Sequence, residues 1–172
     1  PLESTAEYED EFHPSYNIRY FNITKWVTDK KENSLEKLVN VYEVLSNERC
    51  NIALVFHRTS SNTKVYLAVV NTENANDNVN IDNYRRRLLE AIKGNFPGST
   101  VSEEVGRGRI PCLNHQKPYS VATVSNLPTT KSEKFISQTI EKLIDGIVPE
   151  NPSQDYTLIL LANPIQNIEN HK

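Results

Sequence analysis

Cys112 and His115 stand three positions apart in Cys112-Leu113-Asn114-His115, and they are the only cysteine and histidine close together in the chain. Two such side chains do not make a structural zinc site, which needs four ligands. The remaining histidines, His13, His57 and His171, are scattered. A nucleophilic role for Cys112 would require His115 or His57 beside it to favour the thiolate. The simpler reading is a surface-loop cysteine. Phosphate chemistry is no better served. The chain has five glycines, Gly94, Gly98, Gly106, Gly108 and Gly146, and none builds the GxxxxGK[ST] cradle. GxGxxG, HExxH and GxSxG are absent as well. The residues therefore offer no catalytic, cofactor-binding or metal-binding set.

The remaining chemically interesting group is basic. Arg85, Arg86 and Arg87 are consecutive, and Lys93, Arg107 and Arg109 could join them in a patch for phosphate or an acidic partner. At about 100° per residue, Arg85 falls roughly 40° from the apolar centre of its helix, while Arg86 and Arg87 point outward to different sides. Arg85 is therefore expected at the core boundary, its stem on apolar surface. An ordinary solvated helix face is the competing reading. No aromatic residues interleave with these arginines, so single-strand stacking has no platform. With a net charge of −3, isolated nucleic-acid binding should be weak or absent, with a shallow salt dependence.

Composition sets the frame. A chain of 172 residues suits one domain with a substantial core. At 37% hydrophobic and 24% charged, the chain as a whole is not expected to be disordered. No apolar run approaches the ~20 residues of a membrane helix, and no signal peptide is visible. Two cysteines do not make a disulfide framework, so a reducing cytoplasm is expected.

The elements follow from periodicity. Pro1 to Pro14 is acidic and aperiodic, a flexible lead or an arm on a neighbouring surface. Tyr16 to Ile23 alternates imperfectly and suggests an edge strand. Asn33-x-x-Glu36 resembles a capping box ahead of a helix with Leu35, Leu38, Val39, Tyr42 and Leu45 on one face. Asn51 to His57 and Lys64 to Asn71 are strands joined by a short polar loop. A long Asn/Asp-rich loop, Glu73 to Asn80, precedes a helix that runs to about Lys93 and stops at Gly94. Phe96-Pro97-Gly98 predicts a type II turn, because Pro presets φ and Gly accepts φ > 0. Thr100 to Val105 is a candidate strand, Gly106 to Lys117 a loop, and Tyr119 to Val124 another strand. Thr130-x-x-Glu133 is a second capping box, before a helix with Phe135, Ile136, Thr139, Leu143 and Ile144 on one face and Gly146 at its end. Tyr156 to Ala162 is an unbroken apolar run, which predicts a central strand covered on both faces.

These elements predict one α/β (α+β) domain over residues 15–165, after an acidic lead at 1–14 and before a polar tail at 166–172. The sheet is expected to be mixed, of five to seven strands, with helices packed on it. The first six elements match the β-α-β-β-α-β, partly ferredoxin-like order. The expected core comprises Leu38, Leu45, Leu54, Val55, Leu67, Leu88, Ile92, Leu143, Leu158 and Leu160.

The stretches KGNFPGSTV at Lys93 to Val101, NLPTTKSEKFISQTIEKLIDGI at Asn126 to Ile147 and DYTLILLANPI at Asp155 to Ile165 support a resemblance. Together they resemble the N-terminal region of bacterial HerA/FtsK-class ATP-binding proteins, relatives of DNA-translocating and conjugative motors. In that family the Walker motifs lie downstream, so no catalytic residue carries over to this chain. The resemblance implies a non-catalytic accessory domain for assembly, partner docking or DNA guidance, with a downstream motor domain of the same polypeptide as its partner. A scaffold domain of a secretion or phage-related system and a small enzyme using Cys112 are the alternatives. The isolated domain is expected to be monomeric or weakly dimeric. Its acidic lead, with Tyr8 and Phe12 as anchors, is expected to pack across a domain surface, its own or a neighbour's, and the arginine-bearing helix offers charge of the opposite sign.

Overall fold

In a computed structural model the fold is described for residues 13–27, 34–72, 79–102, 106–113 and 155–162. Its centre is a hairpin of β2, Cys50–Arg58, and β3, Thr63–Asn71. Both strands are rich in β-branched and aromatic residues, which suit a pleated surface. The loop between them closes with the Thr59 N–H donating to the Asn62 carbonyl at 2.9 Å. The register places Leu54 opposite Leu67 and Ile52 opposite Val69. Leu54, Leu67 and Val69 are completely buried.

β1, Ile18–Lys25, pairs with the other edge of β3, so β3 lies between β1 and β2. α2, Ser34–Glu43, lies between β1 and β2 in sequence, and α3, Val79–Asn95, follows β3. A short β4, Thr100–Val101, returns to the free edge of β1. This is the β-α-β-β-α-β order expected from sequence. The strand order β4-β1-β3-β2 is that of a split βαβ arrangement. Two elements lie outside it: β5, Gly106–Arg107, which also pairs with β1, and β6, Tyr156–Ala162, which extends the sheet beyond β2. A single turn, α1, Pro14–Asn17, precedes β1 and straddles the expected end of the lead.

Among the described residues the protein is thus an α+β domain with one six-stranded sheet and three helices. Every strand pairing among the described residues is antiparallel, so these strands form an antiparallel sheet where the sequence predicts a mixed one. The split topology explains this. The two strands of each crossover are parallel to one another but are separated by an antiparallel neighbour. β1 is internal rather than an edge strand. Its imperfect alternation arises because Arg19 occupies a core-facing position beside Phe21 and Ile23, and all three are buried.

α2 and α3 cover one face of the sheet. α3 buries Ile81, Tyr84, Leu88 and Ile92, and α2 buries Leu38 and Val41, with Leu45 buried in the turn that follows α2. The expected face of α2 is shifted, since Val39 is exposed and Val41 takes the core position. Asp82 in the first turn of α3 and Lys93 in the last both complement the helix dipole. The helix runs one residue past Gly94 and ends in the expected type II turn. Gly98 has φ +85°, and the Ser99 N–H donates to the Phe96 carbonyl at 3.1 Å. Trp26 packs on Phe96 with ring centroids 4.5 Å apart, and Ser99 Oγ accepts from the Val27 N–H at 2.8 Å. The turn is thereby anchored to the end of β1.

Of the expected core, Leu38, Leu45, Leu54, Val55, Leu67, Leu88 and Ile92 are buried. Leu158 and Leu160 are half-buried against the same cluster. Leu143 lies outside the described residues, as do the expected strand at 119–124 and helix at 130–146. The remaining correction concerns β6, which is not covered on both faces. It pairs with β2 alone among the described strands. The register with β2 sends Leu158 and Leu160 to the helix side, and Ile159 and Leu161 to the opposite face, where both are exposed.

That opposite face carries a second cluster of Ala53, Val55, Tyr66 and Ala68. It is crossed by the segment after β5, which contributes Ile110, Cys112 and Leu113. Gly106 permits this crossing because it sits opposite Tyr20, whose ring lies over it. A Cβ at Gly106 would come within 2.3 Å of that ring. Tyr20 in turn meets Tyr66 edge-on at 5.9 Å. Gly106→Ala should therefore displace the ring and cost about 1–3 kcal/mol, the usual range for overpacking. Urea unfolding of the two proteins measures this, and an unchanged midpoint would show that the ring moves freely.

Candidate functional site

The structure does not gather the six basic residues of the expected patch onto one face. Successive helical positions are about 100° apart, so the three consecutive arginines leave α3 in three directions. Arg87 reaches to the turn after α2, donating to Glu48 Oε1 at 2.7 Å and to the Val44 carbonyl at 2.6 Å. This contact ties α3 to the turn after α2, and the Arg87 hydrogen bond holds the Glu48 carboxyl below its usual range. Arg86 is exposed and stays on its own helix, with Glu90 at 3.4 Å and Asn83 at 2.8 Å. Such a pair adds a few tenths of a kcal/mol, about 0.3–0.5. Lys93 and Arg109 are exposed.

Arg85 turns toward the sheet. Its guanidinium carbon lies 5.9 Å from the centre of the Phe21 ring, within cation–π range. Its Nε is buried and has no hydrogen-bond partner. Burial pulls the Arg85 pKa below its usual value; Asp82 opposes this and the nearby Arg19 charge adds to it.

Arg19 is the residue that sequence reasoning missed. It is fully buried, and its Nε donates to Asp82 Oδ1 at 2.7 Å. Its Nη1 donates to the Ser15 carbonyl at 2.8 Å and the Ile18 carbonyl at 3.0 Å. An arginine inside an alternating strand looks like a solvent-facing residue until the strand's phase is fixed by Phe21 and Ile23. Arg107 stands opposite Arg19 in the β1–β5 register, so both side chains belong to the helix-side face. The structure therefore brings Arg85, Arg19 and Arg107 to one corner with Asp82, where α1, β1, β5 and the start of α3 meet. Among the described residues this corner groups three guanidinium groups with one carboxylate.

The cysteines lie elsewhere. Cys50 is fully buried, and burial pushes its thiol up to about 11. Cys112 lies against the second cluster of the sheet, and burial pushes its pKa up as well. An activated nucleophile needs the opposite shift. His57 contacts Thr157 Oγ1 through Nδ1 at 2.9 Å, while His115 lies outside the described residues. Among the described residues no group of three or more His, Cys, Asp or Glu side chains could hold a metal ion. No helix among them is long and apolar enough to cross a membrane. No family model matches the chain, and no curated protein or solved structure shows significant similarity to it.

Two outcomes test this description. Asp82→Ala leaves the buried Arg19 charge with its carbonyl partners but without the carboxylate. Asp82 is 44% exposed, so the loss should fall near the lower end of the range for a broken buried pair, about 3 kcal/mol. Urea unfolding measures it, and a change below ~0.5 kcal/mol, the range of ordinary surface substitutions, would show that the pair is not structural. Thiol alkylation tests the cysteines. Cys112 should titrate above the free-thiol value of about 8.5, and Cys50 should react only on unfolding. A Cys112 thiolate present at neutral pH would revive the enzyme reading.

Proposed function

We propose that this chain is a non-catalytic interaction domain of a larger HerA/FtsK-like ATPase, and that β6 is the surface on which the motor domain of the same polypeptide docks. The observation that carries the docking role is the exposure of Ile159 and Leu161, 46% and 59%, on a strand with no described neighbour beyond it. Tyr156 to Ala162 contains no proline, glycine or charge. Natural edge strands are usually blunted by such residues, and an unblunted apolar edge offers main-chain partners and side-chain contacts together. The assignment to a motor rests on the sequence resemblance described above. DNA guidance is the less favoured part of this reading, because the basic residues are dispersed.

The reading has two separable tests. Continuation of the reading frame beyond Lys172 should reveal a Walker A motif, and its absence would remove the motor assignment. In the longer polypeptide, amide exchange over residues 156–162 should slow relative to the 172-residue chain. Leu161→Asp should restore fast exchange in the longer polypeptide. It should leave the unfolding midpoint of the 172-residue chain nearly unchanged, within the ±0.5 kcal/mol expected of an exposed site. Equal exchange in the two lengths would show that β6 is not the docking surface.

A further inference from the structure

Arg85 has a hydrogen-bonding demand that the fold does not meet. Among the described residues its Nε is buried without an acceptor. The guanidinium carbon lies 5.9 Å from the centre of the Phe21 ring, so the side chain has a seat on the sheet. The residue as a whole is half-buried, and that seat therefore opens to solvent. A buried donor left without a partner in a native fold marks a place where a water or an ion belongs.

Two further guanidinium groups stand close by. Burial first, and the nearby Arg19 charge after it, hold the Arg85 pKa below its usual value. Arg19 itself donates through Nε to Asp82 Oδ1 at 2.7 Å. Arg107 is directly opposite Arg19 in the β1–β5 register. Such cross-strand partners hold their Cβ atoms about 4.5–5.5 Å apart on one face of the sheet. The Gly108 N–H, donating to the Ile18 carbonyl at 3.2 Å, keeps β5 in that place. Arg107 is exposed, and among the described residues neither it nor Arg85 makes an ion pair.

Charge then selects the ligand. Among the described residues, three guanidinium groups against the one carboxylate of Asp82 leave two positive charges. A carboxylate ligand would neutralise one of them. A phosphate monoester carries about −1.5 to −2 at pH 7 and offers three acceptor oxygens, enough for forks arriving from α3 and from β5. Guanidinium forks match phosphate oxygens bidentately. Arg86 and Arg87 are turned away to Glu90 and Glu48, so a row of backbone phosphates finds no continuing track here. We propose that Arg85 and Arg107 bind a single phosphate group, free or as a small monoester, where α3 meets β1 and β5. The site is independent of the motor assignment, since it concerns only residues of this domain.

The test uses the isotope-labelled 172-residue chain, with the arginine Nε–H signals followed by NMR. Inorganic phosphate and phenyl phosphate are titrated at constant ionic strength, with sodium chloride as the control. The Arg85 and Arg107 signals should shift saturably with a Kd of the order of 1 mM, about what two hydrogen bonds to charged groups supply. The Arg86 and Arg87 signals should stay at their chloride positions. Equal affinity for the two probes would assign the free anion, and tighter binding of phenyl phosphate a monoester. Arg85→Lys keeps the charge but loses the fork, and should weaken binding about tenfold, the value of one such hydrogen bond. Arg107→Ala, at an exposed position, should weaken it similarly with the urea midpoint unchanged, so the site stays testable if Arg85→Lys loses stability. Phenyl phosphate should also bind less tightly at about pH 5 than at about pH 7.5, because it takes up its second proton near pH 6. Shifts spread equally over all four arginines, or undiminished in both variants, would show ionic screening only and overturn the proposal. Absence of saturation at about 50 mM, some fifty times the expected Kd, would do the same. A duplex oligonucleotide that displaces phosphate and shifts Arg86 and Arg87 as well would overturn it in favour of nucleic acid.

Discussion

Leu54 and Leu67 face one another across the central hairpin, both out of water, and the rest of the domain is arranged around that pair. Side chains alternate between faces along a strand, so fixing these two fixes the phase of β2 and β3. Ile52, Phe56 and Val69 then lie on the same side, while Ala53, Val55, Tyr66 and Ala68 lie on the other. The larger residues dominate the first side, and α2 and α3 cover it. Once β1 joins β3, its own phase follows. Phe21 and Ile23 must enter the helix-side core, and Arg19 must enter with them.

Bringing Arg19 inside has consequences. A buried guanidinium is tolerated only where paired and hydrogen-bonded, and among the described residues its partners come from three places. Asp82 is supplied by the start of α3, the Ser15 carbonyl by α1, and the Ile18 carbonyl by the strand itself. One charge therefore holds together the beginning of β1, the beginning of α3 and the turn that precedes the sheet. The same arrangement places a second arginine, Arg85, close enough for like-charge repulsion and aligns Arg107 on the same face. A structural requirement of the core thus generates a positively charged corner at the surface.

The two faces of the sheet differ in how they are finished. The helix side closes around a single cluster that includes residues from β1, β2, β3, α2 and α3. The other side is crossed by the segment from Ile110 to Leu113, which covers Val55 and Tyr66 but leaves Ile159 and Leu161 of β6 in solvent. Among the described strands the apolar face of β6 lies at the opposite end of the strand order from the arginine corner.

Much of this was legible in the residues alone. Periodicity identified β2, β3, α3 and the turn at Phe96 to Gly98, because each rests on local chemistry: alternation, helical spacing, and the φ values that Pro and Gly accept. The β-α-β-β-α-β order followed from those elements. Other features depended on contacts far apart in sequence. Tyr156 to Ala162 is apolar throughout, and composition alone could not distinguish a strand covered on both sides from an edge with one exposed face. Pairing with β2 decided it. The arginine triplet looked like one patch because the sequence presents it as consecutive, yet helix geometry divides it among Phe21, Glu90 and Glu48. Arg19 carried no local signal at all. The chain by itself determined which segments become strands and helices. The tertiary structure decided which faces are buried and which charges meet, because burial and charge pairing depend on neighbours that only the folded sheet brings together.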